Sequence, residues 1–299
     1  MKNNTSFNVL ASFAMTGKDK RFNDVVMSLS EQHVINLMID SGAFTKHNAK
    51  GNFGHITLDN YCEYLNKYGE NSEKYVMLDV VGNADQSRIN YEYMIARGLK
   101  PMFVATMFDR DFDYMRNTLD VTPDICVAGG VTTKGLWMTK RFQDVFRNTD
   151  KRAKIHGLGY VMLPNIFRLP LASIDSSSWK SGCRYGNGMV WLGNGRKLTY
   201  HYDDYLRHGK KMSKELCTAL DKVGITPRMF YDTACHKNRG GNNNIEQFLT
   251  LQYVTELQMF CKQNKRDLFL ACCQAGDVLQ LQYIRDNYRT LKYEDFLKL

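Results

Sequence analysis

The chain has no apolar run near the roughly 20 residues that a membrane-spanning helix needs, so a soluble protein without a membrane partner is expected. It also lacks a cysteine framework. Its eight cysteines, at 62, 126, 183, 217, 235, 261, 272 and 273, follow no regular spacing, and several sit inside apolar patterns. They read as reduced thiols, which makes the cytoplasm the expected compartment. Met1 to Met15 carries a lysine and a short apolar stretch, but Asn8 and Ser12 interrupt it and no cleavage site follows. A first strand is expected there, and no signal peptide. There is no nucleotide-phosphate loop and no repeat beyond an alternation of strand-like and helix-like segments. With 299 residues, 43% of them apolar and 12% aromatic, the chain can bury a large core without a disulfide or metal staple.

What is present is a series of short apolar strands separated by more polar, helix-length segments. Strands are expected near Phe7 to Met15, Val34 to Asp40, Lys74 to Val81, Pro101 to Met107, Asp124 to Val131, Lys154 to Tyr160 and Ala172 to Asp175. Continuous apolar runs alternating with helices argue for parallel strands buried on both faces. The fold expected is therefore a single α/β domain over residues 1–299, a TIM-like (β/α)8 barrel with closing helices at the C-terminal end. Two segments, Arg228 to Thr233 and Arg266 to Cys272, qualify as its eighth strand. Ile245 to Phe260 has the apolar spacing of a packed helix. Barrel enzymes gather their reacting groups at the C-terminal ends of strands, and Asp40, Asp79, Thr106, Gly129, Gly130, His156 and Asp175 all fall at such ends. Any one of them is equally a turn former. Their shared position is what points to a site, with Asp40 and Asp175 as its paired acids.

The formal charge of +9 is unevenly spread. Residues 180–241 form a loop-rich excursion after the seventh strand, rich in bases that include Lys180, Arg184, Arg196, Lys197, Lys210 and Lys211. Tyr185, Trp191, Tyr200, Tyr202 and Tyr205 are interleaved with them. Cations that neutralise phosphates, mixed with rings that stack on unpaired bases, are what a nucleic-acid surface requires. The other reading is a solvated loop whose lysines maintain solubility. Its start directly after Asp175 and Trp179 favours the first.

Four short motifs in order, Asp40-Ser-Gly-Ala-Phe44, Gly129-Gly130, His156-Gly-Leu-Gly159 and Asp175 at the end of the seventh strand, resemble the tRNA-guanine transglycosylase superfamily. The Asp-Ser-Gly-Ala-Phe and Ile-Asp-Ser-Ser-Ser-Trp forms more narrowly resemble its bacterial and phage branch, which inserts 7-deazaguanines into DNA. The resemblance covers about residues 7–200. It implies an exchange of guanine for preQ0 or a derivative through a covalent aspartyl-nucleotide, with no cofactor, and modified DNA able to resist restriction. Asp175 matches the family's nucleophile and Asp40 its general acid/base. Phe44 matches the aromatic that stacks on the base, and His156 stands on the opposite wall, where relatives often carry methionine; Gly157 beside it is taken as a further base contact. Asp79 matches the acid that accepts from guanine N1 and its 2-amino group, and the amides around Gly129, Gly130 and Val131 would meet O6.

The chain departs from the family in places. Thr106 stands where tRNA enzymes place a base-reading glutamine, and Val131-Thr-Thr-Lys134-Gly135 replaces a glutamate after the double glycine. The Cys-x-Cys-x-x-Cys cluster of zinc-bearing relatives is absent. The pairs Cys235-His236 and Cys272-Cys273 suit a four-coordinate site poorly, so no metal and no structural zinc are expected. The partners implied are DNA and a free 7-deazaguanine base. A tRNA-directed member of the same superfamily and a catalytically silent barrel that binds nucleic acid are the alternatives, and the paired acids argue against the second.

Overall fold

The computed structural model of the chain describes residues 6–48, 53–107, 109–128, 136–161, 165–177, 179, 187–206, 208–231 and 244–298. Where the sequence suggests one domain, contact density divides the chain into two compact units. One comprises Asn4–Ser176 with Asn264–Val278, the other Met1–Asn3, Ser177–Gln263 and Leu279–Leu299.

The first unit is a mixed α/β body around an eight-stranded sheet. Its strands are β1 (Phe7–Ser12), β2 (Ile35–Asp40), β3 (Lys74–Tyr75), β4 (Phe103–Ala105), β5 (Asp124–Val127), β6 (Lys154–Gly157) and β7 (Leu171–Ser176), with Asp267–Cys272 as the eighth. Every ladder is parallel, and the sheet order is β3, β2, β1, Asp267–Cys272, β7, β6, β5, β4. The last strand in sequence thus lies between β1 and β7 and joins the two ends of the series. The sheet curls, and its edge strands are linked by one parallel bridge between Val76 and Met102, with Met102 N–H donating to Tyr75 O and Met77 N–H to Met102 O. A complete barrel with eight regular ladders is the finer expectation; an eight-stranded parallel curled sheet is what these ladders form.

Helices cover the sheet because the sequence starts them cleanly. Asp19, Thr57, Asn83 and Asp111 each accept the backbone N–H three residues on, at 3.0–3.2 Å, opening the helices Lys20–Glu31, Leu58–Tyr68, Ala84–Ala96 and Phe112–Thr118. Toward those helices the strands present Val9, Ala11, Leu37, Ile39, Ile125, Val127, Ile155 and Leu270, all buried.

The other face of the sheet is mixed. Register partners point to the same side, so Asn8 with Asn36, Ser12 with Asp40, Cys126 with His156, and Phe269 with Asp175 share it. Near the N-terminal ends of the strands it holds a polar network. Lys74 pairs with Asp124 at 3.1 Å, Asn8 donates to Asp267 at 3.3 Å, and Asn36 donates to Asn8 at 2.8 Å. One irregularity lies beside the site. Ile155 pairs with Leu171 but His156 pairs with Ser173, so β7 carries one extra residue, Ala172, against β6.

The second unit contains the antiparallel hairpin β8 (Asn187–Gly193) and β9 (Arg196–His201). Its turn, Gly193-Asn194-Gly195, has three successive positive φ angles, 86°, 52° and 75°, which glycine and asparagine tolerate. Trp191 packs on Tyr253 and Phe260 of the helix Asn244–Gln263, at ring distances of 6.1 and 5.3 Å. Among the described residues no helix is long and apolar enough to cross a membrane.

Candidate active site

The expected acids gather at the C-terminal end of the sheet. Asp40 is the last residue of β2, and its Oδ2 accepts from the Ser12 hydroxyl at 3.0 Å and from the Gly42 amide at 3.1 Å. The second bond explains the glycine. Gly42 has φ of 77°, and a Cβ there would lie 2.2 Å from that of Ala14, so only glycine lets the chain turn and donate at this point. Burial, reinforced by the charges of Asp175 and Asp79, pushes the Asp40 carboxyl up to about 7 against the pull of those two donors. Asp175 and Asp79 are therefore close enough to act on Asp40 electrostatically.

Asp175 is 6% exposed and sits within β7. Its Oδ1 accepts the Gly159 amide at 2.6 Å and lies 3.2 Å from Nε2 of His156, whose Nδ1 is 2.8 Å from the Ser173 hydroxyl. Ser173, His156 and Asp175 form a buried line because Ser173 is the register partner of His156 and residues two apart on β7 face the same way. His156 is wholly buried and meets the edge of Phe269, with ring centroids 6.2 Å apart. Both of its nitrogens are engaged, a role that goes beyond the base contact expected of it.

Asp79 lies beyond the paired part of β3, in a segment that follows the Val76 bridge without entering a ladder. Burial raises its carboxyl to about 6. Its own backbone is its only hydrogen-bond partner among the described residues. Phe44, on the helix Ala43–Asn48, is 40% exposed. Thr106 is half-buried just past β4. Gly157 closes β6, where a Cβ would lie 3.3 Å from Phe142 and Tyr160 side chains; close packing accounts for the missing side chain. Gly129, Gly130 and Val131 lie outside the described residues.

Of the expected cations, Arg196 and Lys197 are exposed at the start of β9 and Lys211 is exposed between elements. Lys210 pairs with Asp204 at 3.1 Å, both largely exposed. Lys180 and Arg184 lie outside the described residues. Among the described residues no group of three His, Cys, Asp or Glu side chains is placed to hold a metal ion.

Sequence reasoning assigned no role to Ser12 and Ser173, and quoted Gly42 and Gly159 in motifs without the amide bonds they donate. Ser173 was within reach, since it stands two residues before Asp175 on a strand and must share its face. Ser12 needs the β1–β2 register, and Gly159 needs the fold of the β6 end. Chemically, the arrangement offers an acid able to gain or lose a proton near neutral pH beside a carboxylate held by two donors. A second acid has acceptor capacity to spare. No protein-family model matches the chain, and no curated protein does.

Proposed function

We propose that the chain is a transglycosylase that exchanges guanine in DNA for a 7-deazaguanine base, preQ0 or a derivative, at the mouth of a TIM-like (β/α)8 barrel. The observation that carries this reading is the pair Asp40 and Asp175, two carboxyls on one face of one sheet, with the charge of Asp175 helping to raise Asp40 to about 7. Exchange of a base needs a nucleophile for C1′ and a group that gives and takes one proton.

In this reading Asp175 attacks C1′ while Asp40 in its neutral form protonates the departing guanine. The incoming base then attacks C1′ from the vacated side, gives its proton to Asp40 and displaces Asp175. Two inversions retain configuration, as in retaining glycosidases. Neither step consumes ATP or a redox equivalent. Asp79, an acceptor with no donor from another described residue, suits the N1–H and 2-amino edge of guanine and refuses adenine. Phe44 supplies an exposed ring at the Asp40 end. The target base has to leave the stack before C1′ becomes accessible. Exposed Arg196, Lys197 and Lys211 suit phosphates. DNA is favoured over tRNA because the Asp40-Ser-Gly-Ala-Phe44 and Ile174-Asp-Ser-Ser177 motifs resemble the DNA-directed branch.

The test is incorporation of labelled guanine and of preQ0 into DNA and into tRNA by the full chain, followed by nucleoside mass spectrometry. Incorporation into DNA, abolished in Asp175→Asn, is the expected result. Incorporation into tRNA alone would move the polymer assignment, and none into either would end the transglycosylase reading.

A further inference from the structure

The two oxygens of Asp175 are treated unequally. Oδ1 accepts from Gly159 and faces His156 Nε2, whereas Oδ2 receives no hydrogen bond among the described residues. A carboxylate only accepts, so Nε2 presents its proton to Oδ1, and Nδ1 shares a hydrogen bond with the Ser173 hydroxyl at 2.8 Å. The wholly buried ring is fixed at both nitrogens and against Phe269.

We infer that His156 and Ser173 are positioning residues for Asp175: they hold Oδ1 in place and leave Oδ2 as the oxygen that bonds to C1′. The inference rests on the transglycosylase reading of the same site. It assigns to His156 a function through Asp175, in addition to any contact with the base.

In the first step a lone pair of Oδ2 forms the O–C1′ bond as the C1′–N bond to guanine breaks. The released pair stays with guanine, which takes the proton of Asp40, and Oδ1 becomes the ester carbonyl. In the second step a nitrogen of the incoming base bonds to C1′, the Oδ2–C1′ pair returns to Asp175, and the base's proton goes to Asp40. Negative charge returns to the carboxylate only in this second step. Hydrogen bonds to a developing anion are stronger than those to a neutral ester, so the His156 donor speeds breakdown of the intermediate more than its formation.

His156→Met removes the donor at similar size, and His156→Gln places an amide N–H near the position of Nε2. In His156→Met, kcat for guanine exchange should fall about tenfold, a typical loss for one charge-assisted hydrogen bond. The denaturation-resistant protein–DNA adduct should accumulate, the KM for DNA should not rise, and His156→Gln should recover most of the rate. A residue that only supports the fold would raise KM and deplete the adduct. Wild-type adduct kinetics in His156→Met, with exchange intact in the parent, would overturn the positioning role and leave the transglycosylase reading standing. Nitrogen-15 NMR of the imidazole requires no turnover and so separates the two failures. An Nε2-protonated ring whose resonances move in Ser173→Ala supports the line of hydrogen bonds, and an Nδ1-protonated ring overturns it even where exchange is seen.

Discussion

Ser12 and Asp40 are register partners on β1 and β2, and the Ser12 hydroxyl donates to Oδ2 of Asp40 at 3.0 Å. The Gly42 amide donates to the same oxygen, so among the described residues Oδ1 has no hydrogen bond and can exchange a proton with a ligand. Two donors ordinarily depress a carboxyl's pKa; here burial and two neighbouring carboxylates outweigh them.

The first prediction follows from that balance. Release of guanine uses the protonated form of Asp40, whose carboxyl is raised to about 7. Single-turnover release should therefore be fastest in mild acid and fall as pH rises through about 7. Measured from about pH 5 to about pH 9, a flat profile would remove Asp40 from the acid role.

Stability should respond in a linked way. The folded protein holds the Asp40 proton more tightly than the unfolded chain does, since the carboxyl rises from 3.8 to about 7 on folding. The stabilisation from this group is complete below the unfolded value and is lost as pH climbs through the folded one. Asp40→Asn carries no such charge, so above neutral pH it should be more stable than the parent by about 1–3 kcal/mol, with partial exposure discounted. Near pH 4 the advantage should have largely disappeared. Urea midpoints at the two ends of the range measure it, and a gap that widens toward acid would contradict the sign.

Asp79→Asn should change selection more than chemistry. An amide presents one acceptor and one donor where the carboxylate presents acceptors only, so the guanine edge loses a partner and meets a like donor. We expect kcat/KM for guanine to fall about 10- to 100-fold with discrimination against other purines relaxed, the size of one lost charged contact. Competition between labelled bases reads this directly; a loss confined to affinity for DNA would show that Asp79 does not read the base.

Replacing Arg196, Lys197, Lys210 and Lys211 with alanine should weaken DNA binding and flatten its dependence on salt. Each phosphate contact contributes about 0.9 to the slope of log K against log salt, so a reduction of about 1 to 3 is expected. Lys210 alone should contribute least, because Asp204 already pairs with it. An unchanged slope in the quadruple variant would show that these cations face solvent.

Six of the eight sheet strands lie within the segments that apolar runs mark out, and β7 overruns its segment by one residue at each end, because a strand buried on both faces cannot hide its composition. Their ends were less legible. Met15, expected in the first strand, belongs to a helical turn from Phe13 to Thr16, where the Thr16 hydroxyl bonds back to Ser12 O. β3 stops at Tyr75, so Asp79 reaches the site from outside a ladder. The choice for the eighth strand had a signal that composition overlooks. Pro227 follows Thr226, whose hydroxyl accepts from Met229 N–H at 3.2 Å, and residues 227–231 are helical. A capping threonine followed by proline is a helix start, which leaves Asp267–Cys272 as the strand. The acids were legible as types at strand ends, while the donors that hold them were not, since Ser12 and His156 depend on inter-strand register.

The extra residue of β7 is absorbed where it stands. Leu171 pairs with Ile155 and Ser173 with His156 on either side of Ala172, so the residues flanking the bulge keep step with β6, and excising Ala172 would leave Ser173 and Asp175 on the face of His156. Excising Ile174 would instead set Asp175 one step after Ser173 and turn it toward the helices. Spacing is thus guarded between the two polar residues and forgiven at the bulge before them.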